Sequence, residues 1–90
     1  MAIGDVVNGM SAVSSVFTFQ PAISVEVLIS YIFRATAEAY GLFDGATWAY
    51  DNPPIGDSVN IKMFINNSIY LKINAVGGGG VSGYSGIQIK

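Results

Sequence analysis

The stretch NIKMFINNSIYLKINA, residues 60–75, decides the fold class of this chain. Val59, Ile61, Met63 and Ile65 fall on one side of an extended backbone, with Asn60, Lys62 and Phe64 on the other. After Asn66-Asn67-Ser68 the same period resumes, with Ile69, Leu71, Ile73 and Ala75 opposed to Tyr70, Lys72 and Asn74. Successive side chains of a strand point to opposite faces, so a period of two rich in β-branched residues marks a half-buried strand rather than a helix. Asparagine tolerates left-handed backbone better than other non-glycine residues, and the spacing predicts a tight hairpin turning at residues 66–68.

The same beat runs outward in both directions. In VSSVFTFQ, residues 13–20, Phe17 and Phe19 share a face against Thr18 and Gln20, and Pro21 stops the run. In SVEVLISYIF, residues 24–33, Val25, Val27, Ile29, Tyr31 and Phe33 alternate with Glu26, Leu28, Ser30 and Ile32. One face is apolar and the other mixed, as in a central strand. Residues 34–43, RATAEAYGLF, hold alanines and Glu38 that favour helix, yet Asp44-Gly45 supplies the backbone freedom of a two-residue turn, so YGLFDGATWAY is read as a hairpin. DNPPIGD, residues 51–57, lacks the donors a sheet interior needs and reads as an exposed loop; VGGGGVSG, residues 76–83, reads as a glycine loop. In the last run Tyr84, Gly86, Gln88 and Lys90 alternate with Ser85, Ile87 and Ile89. About six to seven short strands, with turn signals at roughly eight- to twelve-residue intervals, predict an all-β fold, a small antiparallel sandwich or barrel. Residues 1–12 hold Gly4 and Gly9 without a sustained period and are expected to form an arm or edge strand; residues 13–90 form a single β-sandwich domain.

Composition narrows the function classes. A domain of 90 residues hides only about 60 to 65% of the surface its unfolded chain exposes. Yet 51% of the residues are hydrophobic and 11% charged, against about 25% charged in average soluble chains. The excess of apolar surface points to other chains as partners. With no cysteine and no histidine, disulfide frameworks, thiolate zinc sites and the commonest general base are excluded, and neither an enzyme nor a cofactor is expected. A net charge of −2, spread singly, offers no basic stripe for nucleic acid. The opening MAIGDVVNGM has no positive n-region, so no secretory signal is read there. The uncharged stretch 6–25 contains Ser, Asn, Gln and Pro21, which makes a poor membrane span.

Several patterns invite chemistry and fall to simpler readings. Asp44, Asp51 and Asp57 with Asn52 match no calcium-loop spacing and read as turn and loop residues. Glu26 and Glu38 lack the surroundings of a paired-carboxylate hydrolase. Gly77 to Gly80 are followed by Val81 and Ser82, not by the lysine and helix of a phosphate loop. Asn66 heads a glycosylation sequon that a turn explains as well. If the last strand pairs in a sheet, the carboxylate of Lys90 is expected near Lys62 or Lys72, a local charge contact only. Trp48 and Tyr50, two residues apart beside the 51–57 loop, form a candidate sugar-stacking platform with Tyr40 and Tyr84, and Asp51 and Asn52 are candidate hydroxyl partners.

The segments KMFINNSIYLKINA and GYSGIQIK, within residues 59–90, resemble the small β-rich virion proteins of tailed bacteriophages: head decoration or cement proteins and short fibre knobs. The resemblance implies a non-enzymatic structural protein in the virion, attached to a larger assembly such as a capsid. A homo-oligomer, a trimer or larger ring, fits that role, because many identical contacts add by mass action. Val6, Val7, Met10, Phe17, Leu28 and Ile32 are the candidate oligomer or shell contacts, since they add apolar surface beyond one core face. The alternative is a carbohydrate- or receptor-binding β module using Trp48, Tyr50 and the 51–57 loop, with a glycan as partner. A third is a small membrane-active β protein, which liposome leakage would reveal.

Overall fold

The computed structural model describes residues 2–10, 16–33, 39–51, 59–74 and 81–90. Among them are eight strands: β1 (Val6–Met10), β2 (Val16–Phe19), β3 (Val27–Phe33), β4 (Ala39–Phe43), β5 (Trp48–Asp51), β6 (Val59–Ile65), β7 (Tyr70–Asn74) and β8 (Gly83–Gln88). They form two four-stranded antiparallel sheets, in the orders β1-β8-β3-β6 and β2-β7-β4-β5. Of the antiparallel sandwich or barrel that the alternation predicts, the fold is the sandwich, with eight strands among the described residues rather than six or seven.

The pairing has a simple logic. β1 pairs with β8, β2 with β7, β3 with β6 and β4 with β5, like one long hairpin whose two arms run the length of the chain. Folding that hairpin over itself brings β3 against β8 and β4 against β7, which closes the two sheets. Such wrapping is the connectivity of an eight-stranded jelly roll. Its core holds Val7, Val27, Ile29, Ile32, Ile65 and Tyr84 of the first sheet and Tyr40, Leu71 and Ile73 of the second. Tyr84 crosses the layers to stack on Phe19 and Phe17, at ring-centroid distances of 5.0 Å and 6.2 Å.

The opening stretch is corrected by this topology. Its two halves are strands, β6 and β7, but they lie in different sheets and do not pair. Residues 66–69 carry the chain from one layer to the other. Asn66 N–H donates to the Ile69 carbonyl at 2.8 Å, and Asn66 Oδ1 accepts from the amides of Ser68 and Ile69, each at 2.9 Å. Neither asparagine is in the left-handed region; the side-chain carbonyl of Asn66 shapes the bend instead. Asn67 Nδ2 donates to the Pro21 carbonyl and Gln20 Nε2 to the Asn67 carbonyl, which ties the arch to the end of β2. Two strands with one apolar face each look alike in sequence whether they lie side by side or stack across a core. Ile69, expected inward, is exposed at the bend, and Ala75 lies outside the described residues.

Two further expectations shift. In β3 the register slips between Ile29 and Tyr31, so Ser30 is an extra residue against β8 and the facing reverses beyond it. Ile32 is therefore in the core, while Tyr31 and Phe33, expected inward, turn out and meet edge to face at 4.7 Å. β4 and β5 do form a hairpin, but Phe43 opposes Trp48, leaving a four-residue loop rather than two. Gly45 supplies the positive φ, and Asp44 Oδ1 accepts from Thr47 N–H at 2.6 Å and Ala46 N–H at 2.9 Å. Those two amides, Thr47 first, hold the Asp44 carboxyl below its ordinary value of 3.8. A depressed folded value means the stabilisation is present above the ordinary value and is lost as pH falls through the folded one. Asp44→Ala is expected to speed amide exchange at Ala46 and Thr47, with Asp44→Asn keeping part of the protection through its own side-chain carbonyl.

The chain ends are paired into the first sheet. Gly4 N–H donates to the Gln88 carbonyl at 2.7 Å and Gln88 N–H to the Asp5 carbonyl at 3.0 Å. Glu26 N–H donates to the Lys90 carbonyl at 2.9 Å, and Lys90 Nζ lies 3.7 Å from the Glu26 carboxylate. The Lys90 ammonium thus has Glu26 as its partner, a contact the sequence reading did not name.

Candidate functional site

The outer face of the first sheet carries an apolar row across all four strands. Val6 pairs with Ile87, Ile87 with Leu28, and Leu28 with Phe64. At about 4.8 Å per strand step the row spans about 14 Å. Val6 is 70% exposed and Phe64 60%, whereas Leu28 at the centre is half-buried. Asn8 and Ser85 form a polar row beside it, and Ser30 Oγ donates to the Ser85 carbonyl at 3.4 Å. Beyond these, where β1 and β3 finish and β8 begins, Met10, Phe33 and Val81 border a groove of about 540 Å³.

Of the six residues expected to make inter-chain contacts, three stand on this face: Val6, Met10 and Leu28. Val7 and Ile32 are buried in the core, and Phe17 packs inward against Tyr84. The bulge at Ser30 turned Ile32 inward, and the edge pairing of β1 turned Val7 inward. Sequence reading missed Phe33, Phe64 and Ile87. For Ile87 the usual signal is reversed: Gly86 and Gln88 face inward while the isoleucine faces out. Gln88 keeps its amide satisfied in part, Nε2 donating to the Lys90 carbonyl at 3.2 Å, but its Oε1 is buried without a partner.

The outer face of the second sheet is aromatic. Trp48 and Tyr50 lie with ring centroids 4.5 Å apart, and Phe43 meets Tyr70 edge to face at 5.8 Å. Lys72 rises between them, its Nζ 4.3 Å from the Phe43 ring centroid and 4.5 Å from that of Trp48. Both distances are within cation–π range. Cross-strand register sets this up, because Lys72 opposes Gly41, Gly41 opposes Tyr50, and Phe43 opposes both Trp48 and Tyr70. Gly41 is buried and lets β5 approach β4 closely; a Cβ there would run into the Ala49 carbonyl.

Trp48 is therefore not a core residue. Its indole N–H is hidden from solvent and has no hydrogen-bond partner, an arrangement that costs about 1–3 kcal/mol and that phenylalanine would avoid. Tyr40 and Tyr84, grouped with Trp48 in the sequence reading, are buried in the core. Asp51 ends β5 opposite Tyr40, so the alternation turns it away from the face that Trp48 and Tyr50 share. Asn52, Asp57 and Glu38 lie outside the described residues, as do Gly77 to Gly80. Among the described residues no three acidic side chains gather to hold a metal ion. No helix among them is long and apolar enough to cross a membrane. The chain matches no protein-family model, no curated protein and no solved structure.

Proposed function

We propose that this protein is a non-enzymatic structural part that self-associates and attaches to a larger assembly, as a decoration, cement or head-fibre protein does on a phage capsid. The observation that carries the reading is the row Val6, Ile87, Leu28 and Phe64 on the first sheet's outer face. An antiparallel sheet facing water alternates apolar-in with polar-out; here both faces carry large apolar side chains, and exposed apolar patches on small domains mark interaction sites. The composition agrees, since hydrophobic residues exceed half the chain while histidine and cysteine are absent. The virion assignment draws on the resemblance of residues 59–90 and on the jelly-roll connectivity, which capsid proteins and lectins share and which does not by itself fix a function.

Light scattering coupled to size exclusion tests self-association. The wild-type chain is expected to run as an oligomer at micromolar concentration. Replacing Phe64 and Ile87 together by lysine should release monomers whose thermal midpoint, extrapolated to low concentration, is unchanged within a few degrees, because both side chains point away from the core. A wild-type chain that stays monomeric at its solubility limit sinks the reading. A second function, glycan or receptor binding, is favoured by one specific observation: the adjacent Trp48 and Tyr50 rings on the opposite sheet. The two readings use different faces and are compatible.

A further inference from the structure

We infer that β1 pairs edge to edge with the β1 of a second copy of this chain, antiparallel about a two-fold axis at Asn8, so that two first sheets join into one. The inference rests on the self-association reading and names the partner strand and its register. The first observation is an open edge. β1, β6, β2 and β5 are the outer strands of the two sheets, and exposed edges are ordinarily protected by charge, proline, irregular register or shortness. β6 carries Lys62 and sets Ile61 and Lys62 against Ser30 alone. β5 has four residues and ends on Asp51, and β2 has four and runs into Pro21. β1, VVNGM, has no charge and no proline, and keeps unbroken register with β8 over all five residues. Among the described residues no strand pairs with its other side.

The second observation is which backbone groups point outward. Gln88 N–H donates to the Asp5 carbonyl, and in an antiparallel pair successive residues alternate between turning to the partner and turning away. Val7 and Gly9 therefore turn their N–H and C=O to β8, while Val6, Asn8 and Met10 turn theirs to the open edge. Those three positions are symmetric about Asn8. An axis there pairs Asn8 with the partner's Asn8 and Val6 with the partner's Met10, in both directions, so one register satisfies every outward group of both strands. The third observation is that the side chains match. Val6, Asn8 and Met10 are all exposed on the outer face. The register sets valine against methionine and one amide against another, and it lengthens the apolar row at its Val6 end. The two Asp5 carboxylates fall at opposite ends of the ribbon, about 20 Å apart, beyond the range of effective repulsion at physiological salt. Two strands of five residues make too small a contact to hold two copies alone. Edge pairing thus acts together with the apolar face, and loss of Phe64 and Ile87 still releases monomers.

Engineered thiols read the register, since the chain has no cysteine of its own. Asn8→Cys puts two thiols on the axis, where paired residues stand about 5.5 Å apart, within the span of a disulfide. After oxidation this variant is expected to run as a covalent dimer on a denaturing, non-reducing gel. Val6→Cys and Met10→Cys should cross-link when mixed and far less when alone, each being about 14 Å from its own copy across the axis. Lys62→Cys, on the β6 edge, is the control and should stay a single chain on the gel. Asn8→Pro removes an outward donor and no β1–β8 hydrogen bond; it should about halve the mass of the oligomer in solution, with the thermal midpoint at low protein concentration held within a few degrees. If the wild type is an oligomer but Asn8→Cys does not cross-link, Lys62→Cys links as readily, or Asn8→Pro keeps the full mass, edge pairing at β1 is overturned and self-association stands. Efficient linking of Val6→Cys alone overturns the register. A wild-type chain that is monomeric at its solubility limit overturns both readings.

Discussion

Gly86→Ala is expected to leave the chain unfolded or nearly so. Gly86 sits in β8, between Val7 of β1 and Ile29 of β3, and faces the core. A Cβ there would collide with the Leu28 carbonyl and stand 2.9 Å from the Ile29 Cα. Both obstacles are backbone in a central pairing, beside the bulge at Ser30, so no side-chain rotation relieves the clash. Relief requires β8 to part from β3, and the strand that would part also carries Tyr84 and the partner residues of β1. Overpacking typically costs about 1–3 kcal/mol and more where nothing can yield; with backbone as both obstacles the loss is expected above about 4 kcal/mol, large against the roughly 5–15 kcal/mol that holds a typical domain together. At roughly 4–8 °C per kcal/mol for a domain of this size, the melting midpoint should fall by more than about 15 °C. Ile87→Ala, one residue along and pointing away from the core, is the control and should move the midpoint, extrapolated to low protein concentration, by no more than a few degrees. Circular dichroism melts of the two variants decide the matter; a Gly86→Ala midpoint close to wild type would mean that β8 does not run against β3 as described.

Tyr84→Ala is the second large effect, about 3–5 kcal/mol, because it removes the ring that joins the layers through Phe17 and Phe19. Tyr84→Phe keeps the stack and isolates the hydroxyl. Burial raises the Tyr84 hydroxyl above its ordinary value of 10.0. The unfolded chain then ionises first, so the stabilisation is complete below the ordinary value and is lost as pH rises through the folded one. Thermal midpoints followed from about pH 8 to about pH 11, across the ordinary tyrosine range, should decline less steeply for Tyr84→Phe than for wild type. Parallel curves would place the hydroxyl in water rather than between the sheets.

The apolar face of β6, Ile61, Met63 and Ile65, and that of β7, Leu71 and Ile73, were legible from alternation because local backbone geometry alone puts every second side chain on one side. The Asp44-Gly45 hairpin was legible for a similar reason, its turn chemistry being confined to four neighbouring residues. The Trp48 and Tyr50 pair could be read as sharing a face, but not as gathering Phe43, Tyr70 and Lys72, which come from β4 and β7. Val6 and Leu28 were legible as surplus apolar residues, but no local signal marked their alignment with Ile87 and Phe64 in one row, assembled from four strands spread over most of the chain.

An extended chain with a period of two, few charges and frequent turn residues can bury its apolar sides only as stacked sheets or a closed barrel, so the amino-acid order alone determined an all-β antiparallel fold and the facing of its regular strands. Strand partners were decided only in three dimensions. The arch at residues 66–69 sends β6 and β7 to different sheets, the bulge at Ser30 turns Ile32 in and Phe33 out, and the tight β3–β8 approach puts Gly86 inside and Ile87 outside. The physical reason is that backbone hydrogen bonds are the same for every pairing, so the choice among them rests on how whole faces fit across the core.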